Sequence, residues 1–282
     1  VFVGAVGIAV RAIAPHCRSK ATDPAVVVLD ECGRFAIPLL SGHLGGANEL
    51  AGRLAEGLGA TAVITTATDG RAVFAVDSWA KSHECVVFDL ENIKYISGAL
   101  LRGDTVGLRS AFPVDGLLPA HIDTKTAAES GFVIGFDTEV QPFPHTLHLV
   151  PRVISLGIGC RKGASAGAVE QTVREALGRA GLPLAAVKAV ASIDIKKDEP
   201  GLVSFCAAHG LPFAVYSAEE LNAAPGEFTA SEFVKETVGV DSVCERAAVV
   251  NAGNGTIIAR KYAKNGVTAA LAAGGYRVCL EE

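Results

Sequence analysis

The chain has 282 residues, half of them hydrophobic and 20% charged, with a formal net charge of −5. That length allows two domains or three small ones, and the composition is typical of a globular protein with a substantial core. The acidic balance argues against a general nucleic-acid-binding face, and no apolar run approaches the roughly 18–20 residues of a membrane span, so we expect neither nucleic acid nor membrane as a partner.

Cysteine and methionine usage adds two expectations. The seven cysteines are scattered and never form a CxxC pair, which argues against a disulfide framework or a zinc site and favours a cytoplasmic protein. The chain contains no methionine and opens on Val-Phe-Val-Gly, a strand already under way. We therefore expect that a βα unit upstream of residue 1 is missing, with a processed or re-engineered start as the alternative.

The first predicted unit, residues 1–75, is an α/β domain truncated at its start. Residues 1–5 predict a buried strand, and residues 8–14 predict a short helix that ends at Pro15. Two apolar runs separated by a four-residue turn then predict a hairpin over residues 25–40.

The stretch on which the unit depends is residues 41–50, Ser-Gly-His-Leu-Gly-Gly-Ala-Asn-Glu-Leu. Its three glycines allow a sharp turn and a close approach to a ligand, and the helix predicted over residues 46–58 would offer N–H groups to an anion. A strand predicted at 61–65 completes a βαβ unit, whose ligands gather at the carboxyl ends of the strands. We expect convergence there of Arg11, His43 and the hydroxyl-rich segment from Thr66 to Asp69, with a surface role as the equal alternative for Arg11.

His43 is the candidate general acid or base of this loop, because imidazole titrates near neutral pH. The alternative is a histidine that only caps or hydrogen-bonds the backbone. Ser41, Asn48 and Glu49 lie beside it and favour the catalytic interpretation, although Glu49 could simply favour the helix dipole. The Ser-x-His spacing is too short to assert a triad.

Residues 76–151 carry weaker signals and predict a small central domain or linker. Helices are predicted at 76–83 and 91–101, and strands at 105–108, 131–136 and 146–150. The histidines of this segment show no ligand-like spacing, so we predict no metal site.

Residues 152–282 restart the α/β pattern of the first unit. A strand at 153–157 leads into a second glycine loop, residues 157–165, in which Gly159, Arg161 and Lys162 are candidate ligand contacts. Neither loop matches a dinucleotide fingerprint or a P-loop. Cys160 is interpreted as a packing residue rather than a nucleophile. Lys196 and Lys197 are either further carboxylate contacts or a solvated turn, and we favour the solvated turn. The predicted fold class is α/β, with two α/β units and a small connecting domain.

Several stretches together resemble the CbiG family. In the N-terminal part these are GAVGIAVRAIAP (4–15), KATDPAV (20–26), LLSGHLGGANEL (39–50) and VITTATD (63–69). In the C-terminal part, which the family shares with the CobE proteins, they are GIGCRKG (157–163), ASI (191–193) with Lys196, and VCE (243–245) with Ala247 and Ala248. The resemblance covers nearly the whole chain and is weakest from about 76 to 150. Because the family has a further stretch before residue 1, the resemblance supports a missing N-terminal segment.

This resemblance implies a cobalt-precorrin-5A hydrolase of anaerobic cobalamin biosynthesis. Such an enzyme opens the δ-lactone that joins the ring A acetate to the macrocycle and releases the C20 unit as acetaldehyde. The cobalt belongs to the substrate, so the resemblance implies no cofactor and no protein metal site. Together with the loops it suggests catalytic and lactone-positioning roles for His43, Ser41, Asn48, Glu49, Gly45 and Gly46, and substrate contacts at Arg11, Lys20, Thr66, Asp69, Gly159, Arg161 and Lys162.

Two other classes of function stay open at this point. One is an enzyme that binds a phosphorylated ligand at the two glycine loops. The other is a non-catalytic tetrapyrrole-binding module. The expected partner is a cobalt-corrinoid small molecule, and the sequence leaves homo-oligomerisation open.

Overall fold

The α/β class is confirmed in the computed structural model, which describes residues 1–19, 22–66 and 73–281, apart from the side chain of Phe233. The described residues form one four-stranded sheet, two five-stranded sheets and a two-stranded ribbon. Within these ranges no helix is both long and apolar enough to cross a membrane.

The first sheet has the strand order β1-β2-β3-β4. Its strands and helices are β1 (Phe2–Val3), α1 (Val6–Ile13), a 3₁₀ turn (Ala14–His16), β2 (Val26–Leu29), β3 (Phe35–Leu40), α2 (Ala47–Leu58) and β4 (Thr61–Ala62). The predicted hairpin is confirmed, because β2 and β3 pair antiparallel with Val28 opposite Ile37. The predicted βαβ unit is also confirmed, because β3 and β4 pair parallel on either side of α2.

Two expectations for this sheet are wrong. The first strand is short and exposed rather than buried: Val1 and Val3 are 64% and 73% exposed, since among the described residues β1 lies at the edge of the sheet and pairs with β2 alone. The strand predicted at 61–65 ends at Ala62, after its two ladder pairs with β3.

The middle unit is built on a sheet of order β5-β10-β9-β6-β8. Its elements are α3 (Val76–Ser82), β5 (Cys85–Phe88), a 3₁₀ turn (Leu90–Asn92), α4 (Ile93–Arg102), β6 (Val106–Ser110), β7 (Val114–Asp115), β8 (Ile122–Asp123), β9 (Ser130–Ile134) and β10 (His145–Pro151). Both predicted helices and all three predicted strands are present. Strands β5, β7 and β8 were not predicted, because two to four residues are too few to show a strand period.

The third sheet has the order β13-β12-β11-β15-β14. The elements after β10 are β11 (Ile154–Cys160), α5 (Ala166–Arg179), a 3₁₀ turn (Leu184–Ala186), β12 (Val187–Ile193), a 3₁₀ turn (Asp194–Lys196), α6 (Pro200–His209), β13 (Phe213–Tyr216), α7 (Ala218–Asn222), α8 (Glu232–Val238), α9 (Val243–Asn251), β14 (Thr256–Lys264), β15 (Val267–Ala273) and β16 (Val278–Cys279). Strands β11, β12 and β13 are parallel, whereas β15 runs antiparallel to both β11 and β14.

Helix α9 packs closely against β11. A Cβ atom at Gly157 would overlap the carbonyl oxygen of Cys244, so only glycine lets the helix approach the strand backbone. The second glycine loop is therefore shorter than predicted: Gly157 and Gly159 belong to β11.

The end of the chain returns to the middle unit. Strand β16 pairs with β7, and the indole N–H of Trp79 donates to the carbonyl of Cys279 at 2.7 Å. Val278 and Leu280 are buried in the same core as Trp79 and Phe132. The last residues thus link the third sheet to helix α3.

Candidate active site

The first glycine loop has a backbone that requires glycine. Gly46 lies in the left-handed region at φ +84°, and a Cβ there would collide with the ammonium group of Lys81. A Cβ at Gly45 would collide with the side chain of Ser41, which itself has φ +56°. These two glycines let the loop fold tightly against its own start.

The loop caps helix α2 with its own carbonyl groups. The N–H of Ala47 donates to Ser41 O at 3.0 Å, and that of Asn48 to Gly42 O at 3.0 Å. The first two N–H groups of α2 are therefore not open to the anion predicted at this helix start, because loop carbonyls already accept them. Gly46 is wrong as an oxyanion donor for the same reason: its N–H donates to His43 O at 2.9 Å. The N–H of Gly45 has no acceptor among the described residues.

Ser41, Asn48 and Thr66 make bonds that hold the loop in place. The Ser41 hydroxyl donates to the carbonyl of Asp23 at 2.8 Å, and the Asn48 amide donates to the Thr66 hydroxyl at 3.0 Å. The βαβ connection thus brings Thr66 to the loop, as predicted. Ser41 and Asn48 are buried, at 9% and 8% exposure.

His43 faces a buried carboxylate that the sequence analysis missed. Its Nδ1 lies 3.3 Å from Oδ2 of Asp77, and the two side chains are 11% and 2% exposed. Asp77 sits in the first turn of α3, where an aspartate is ordinarily explained by the helix dipole. No sequence signal links positions 43 and 77, because packing between two units creates the pair.

A cavity of about 480 Å³ is lined by Leu44, the residue that follows His43 in the loop. Two cations line it, Lys81 and Arg152. The Lys81 ammonium lies 4.0 Å from Glu49, whose side chain is 69% exposed. Glu49 is thus a surface partner of Lys81 in this structure.

One other predicted residue does not join the pair, and two more cannot be placed relative to it because they are not among the described residues. Arg11 is exposed on α1 and makes no hydrogen bond or ion pair with the described residues of the loop. Lys20 and Asp69, together with residues 67–68, lie outside the described residues.

The second loop lines a different and larger cavity, of about 830 Å³. It lies at the carboxyl ends of β11 and β12 and at the N-terminus of α9, the usual ligand position of such a sheet. Its lining is largely apolar, with cations at Arg161, Lys162, Lys196, Lys261 and Lys264; Gly159 also lines it.

Two groups near the second loop have shifted pKa values with clear causes. A hydrogen bond from Lys196, at 2.9 Å, lowers the pKa of Glu199, which also accepts the N–H of Gly163. Lys196 is therefore a partly buried member of the cavity, and its prediction as a solvated turn is wrong, whereas Lys197 is exposed. Burial raises the pKa of Cys160, which supports a packing role for that thiol.

The two cavities lie at opposite ends of β11. Arg152, which precedes the strand, lines the smaller cavity, whereas Gly159 and Cys160 at the strand's end line the larger one. Seven strand residues span roughly 20 Å. Arg161 and Lys162 therefore line a cavity other than the one that Leu44 of the first loop lines.

Comparison with known proteins gives the chain its family. Residues 1–69 match the family model described as cobalamin synthesis G N-terminal, and residues 154–272 match cobalamin synthesis G C-terminus. A cobalt-precorrin-5A hydrolase of Salmonella typhimurium is 37% identical, over 96% of this chain and 80% of the relative. A protein of the same name from Priestia megaterium is 31% identical, over 96% of this chain and 77% of the relative.

A solved structure is also similar in sequence. The crystal structure of a cobalamin biosynthesis protein G homologue from Sulfolobus solfataricus is 26% identical, with a TM-score of 0.38, over 96% of this chain and 81% of that one.

Proposed function

Because the chain belongs to the cobalamin synthesis G family, we propose that it is a cobalt-precorrin-5A hydrolase, as its relatives are named. Water adds to the carbonyl of the ring A δ-lactone and gives a free acetate and an alcohol at C20. The alcohol then loses its proton, the carbon–carbon bond breaks, acetaldehyde leaves, and the macrocycle takes up a proton. The overall reaction consumes one water molecule and releases one acetaldehyde molecule.

The observation that carries a catalytic assignment is the His43–Asp77 pair. With the Asp77 carboxylate at Nδ1, the neutral imidazole carries its proton on Nδ1 and its lone pair on Nε2. In this proposal Nε2 takes the proton from water or from the C20 alcohol, and Asp77 stabilises the imidazolium that forms. Asp77 is a positioning residue, since it acts through His43.

Groups around the pair suit an anionic lactone. The N–H of Gly45 would donate to the developing oxyanion, and Lys81 and Arg152 would bind peripheral carboxylates of the ring. Ser41, Asn48 and Thr66 would hold the loop in shape. Substrate contacts at Arg11, Lys20 and Asp69 stay predictions.

We propose that the cobalt is part of the substrate and that the enzyme uses no cofactor of its own. The steps above need only water and proton transfers. All seven cysteines are free thiols, which supports the proposal of a cytoplasmic enzyme.

The decisive experiment supplies cobalt-precorrin-5A and measures acetaldehyde released by the wild type and by His43→Ala. We expect release by the wild type and a loss of about 10²-fold or more in the variant. His16→Ala, an exposed histidine of the same unit, is the matched control and should keep full activity.

Each alternative has its own outcome. Binding of the ring without acetaldehyde release by the wild type would support the tetrapyrrole-binding module and overturn the hydrolase. A nucleotide-dependent rise in Tm, without response to the corrinoid, would support an enzyme for a phosphorylated ligand. Full activity of His43→Ala would show that His43 takes no part in catalysis, but the proposed reaction would still stand.

A further inference from the structure

The N-terminus of helix α9 opens into the larger cavity without a cap. Ser242 occupies the N-cap position, yet its side chain makes no capping hydrogen bond. The N–H groups of Val243 and Cys244 have no acceptor among the described residues, and both residues line the cavity. By contrast, Ser165 caps α5 in the usual way and accepts the N–H of Ala168 at 3.2 Å. An open first turn of nine-residue α9 attracts negative charge.

The Ser242 hydroxyl is a second and independent observation. Ser242 lines the cavity and is only 3% exposed, and its Oγ has no hydrogen-bond partner within the described part of the chain. A buried hydroxyl without a partner costs free energy, so native structures rarely keep one without a use. A ligand oxygen at the start of α9 would satisfy the hydroxyl and the two amides together.

The charges on the cavity wall point to an anion. Arg161 and Lys162 form no ion pair with any carboxylate of the described residues, and Lys261 lies on the same wall. Asp241, an acidic residue of the wall, is neutralised by Arg246, whose guanidinium donates to both carboxylate oxygens at 2.7 and 3.2 Å. That hydrogen bonding lowers the pKa of Asp241. The net field in the cavity therefore favours a ligand with negative groups.

The size and lining of the cavity indicate what kind of ligand bears the negative groups. A volume of about 830 Å³ far exceeds a single small anion, and the wall is largely apolar. Apolar surface at the centre with cations around it suits a large apolar ring whose side chains end in carboxylates.

We propose that the start of α9 is a carboxylate subsite, in which Ser242 Oγ and the N–H groups of Val243 and Cys244 bind one side chain of a carboxylated macrocycle in the larger cavity. The choice of ligand rests on the proposed function, but the site does not require catalysis. This cavity lies at the carboxyl end of β11, whereas Arg152 of the smaller cavity precedes that strand, so it is a ring-binding site separate from the proposed reaction centre.

The test is a binding titration of the full chain with uroporphyrin III, a ring bearing acetate and propionate groups, followed by its absorbance. Ser242→Ala should weaken binding about ten-fold, because one hydrogen bond to a charged group is lost. Its Tm should stay unchanged or rise, since no native hydrogen bond is removed. Ser242→Asp should raise Tm by capping α9 and weaken binding further, because its carboxylate occupies the subsite.

Ser165→Ala is the matched control: it should lower Tm through loss of a real cap and leave the Kd unchanged. Amide resonances of Val243 and Cys244 should shift when the ring binds the wild type. An unchanged Kd in both Ser242 variants, or no binding by the wild type, would overturn the subsite. Tighter binding of ATP than of uroporphyrin would assign the site to phosphate instead. Acetaldehyde release is measured in a separate assay. If the hydrolase proposal fails there, the binding titration still tests the subsite.

Discussion

The imidazole of His43 and the carboxylate of Asp77 lie 3.3 Å apart, although one belongs to the loop before α2 and the other to α3 of the middle unit. Their proximity depends on how the two units pack. Helix α3 is itself held by the end of the chain, through the bond from Trp79 to Cys279. The proposed reaction centre is therefore assembled from three distant parts of the sequence.

Asp77→Asn should lower acetaldehyde release about 10²-fold, because an amide can present an N–H to Nδ1 and favour the wrong tautomer of His43. Nitrogen NMR of labelled histidine should show the proton moving from Nδ1 to Nε2. The control is Asp104→Asn, an exposed carboxylate of the middle unit, which should change neither. Full activity with an unchanged tautomer would contradict the positioning role.

Gly46→Ala should destabilise the protein by about 1–3 kcal/mol, because alanine is strained at φ +84°. Gly52→Ala, in the interior of α2 with open space around it, should stabilise by about 0.5–1 kcal/mol. Urea unfolding measures both changes. Equal changes in the free energy of unfolding for the two variants would contradict the claim that the positive φ of Gly46 requires glycine.

Glu199 should make stability fall on acidification. Its hydrogen bond from Lys196 lowers its pKa in the folded state below the ordinary 4.5, so its contribution is fully present above that value. The contribution is lost as pH falls through the lower, folded-state pKa, because protonation breaks the ion pair. Thermal unfolding of Glu199→Gln between about pH 6 and 3 should show a shallower decline than the wild type. Parallel plots of Tm against pH for the variant and the wild type would contradict a contribution of Glu199 to acid sensitivity.

The end of the chain should contribute to stability by packing rather than by charge. Val278→Ala should cost about 2 kcal/mol, because the side chain is fully buried in the core of the middle unit. Arg277→Ala should cost under about 1 kcal/mol, because its ion pair with Asp115 is exposed. A larger loss for the arginine variant in urea unfolding would argue against this ranking.

Acetaldehyde release should survive treatment of the enzyme with a strong chelator, because the proposed steps use only water, His43 and the substrate's own cobalt. The measurement compares chelator-treated and untreated enzyme on the same substrate preparation. Loss of activity that added metal restores would contradict the proposal that the enzyme needs no cofactor.

Local sequence patterns determined much of the secondary structure. Apolar runs and turn residues predicted the β2–β3 hairpin, and the helical stripe after the first loop predicted the βαβ unit that joins Asn48 to Thr66. These features depend on residues close together in the chain, so periodicity reports them directly. The family-specific motifs, also local, identified the family.

Only the tertiary structure decided which groups meet. It paired His43 with Asp77, placed the two glycine loops at opposite ends of β11, and returned β16 to the middle unit. It also showed that loop carbonyls accept the first N–H groups of α2, where an anion was expected, and that Ser242 leaves the start of α9 open. Packing and long-range hydrogen bonds set these relationships, and neither leaves a pattern in neighbouring residues.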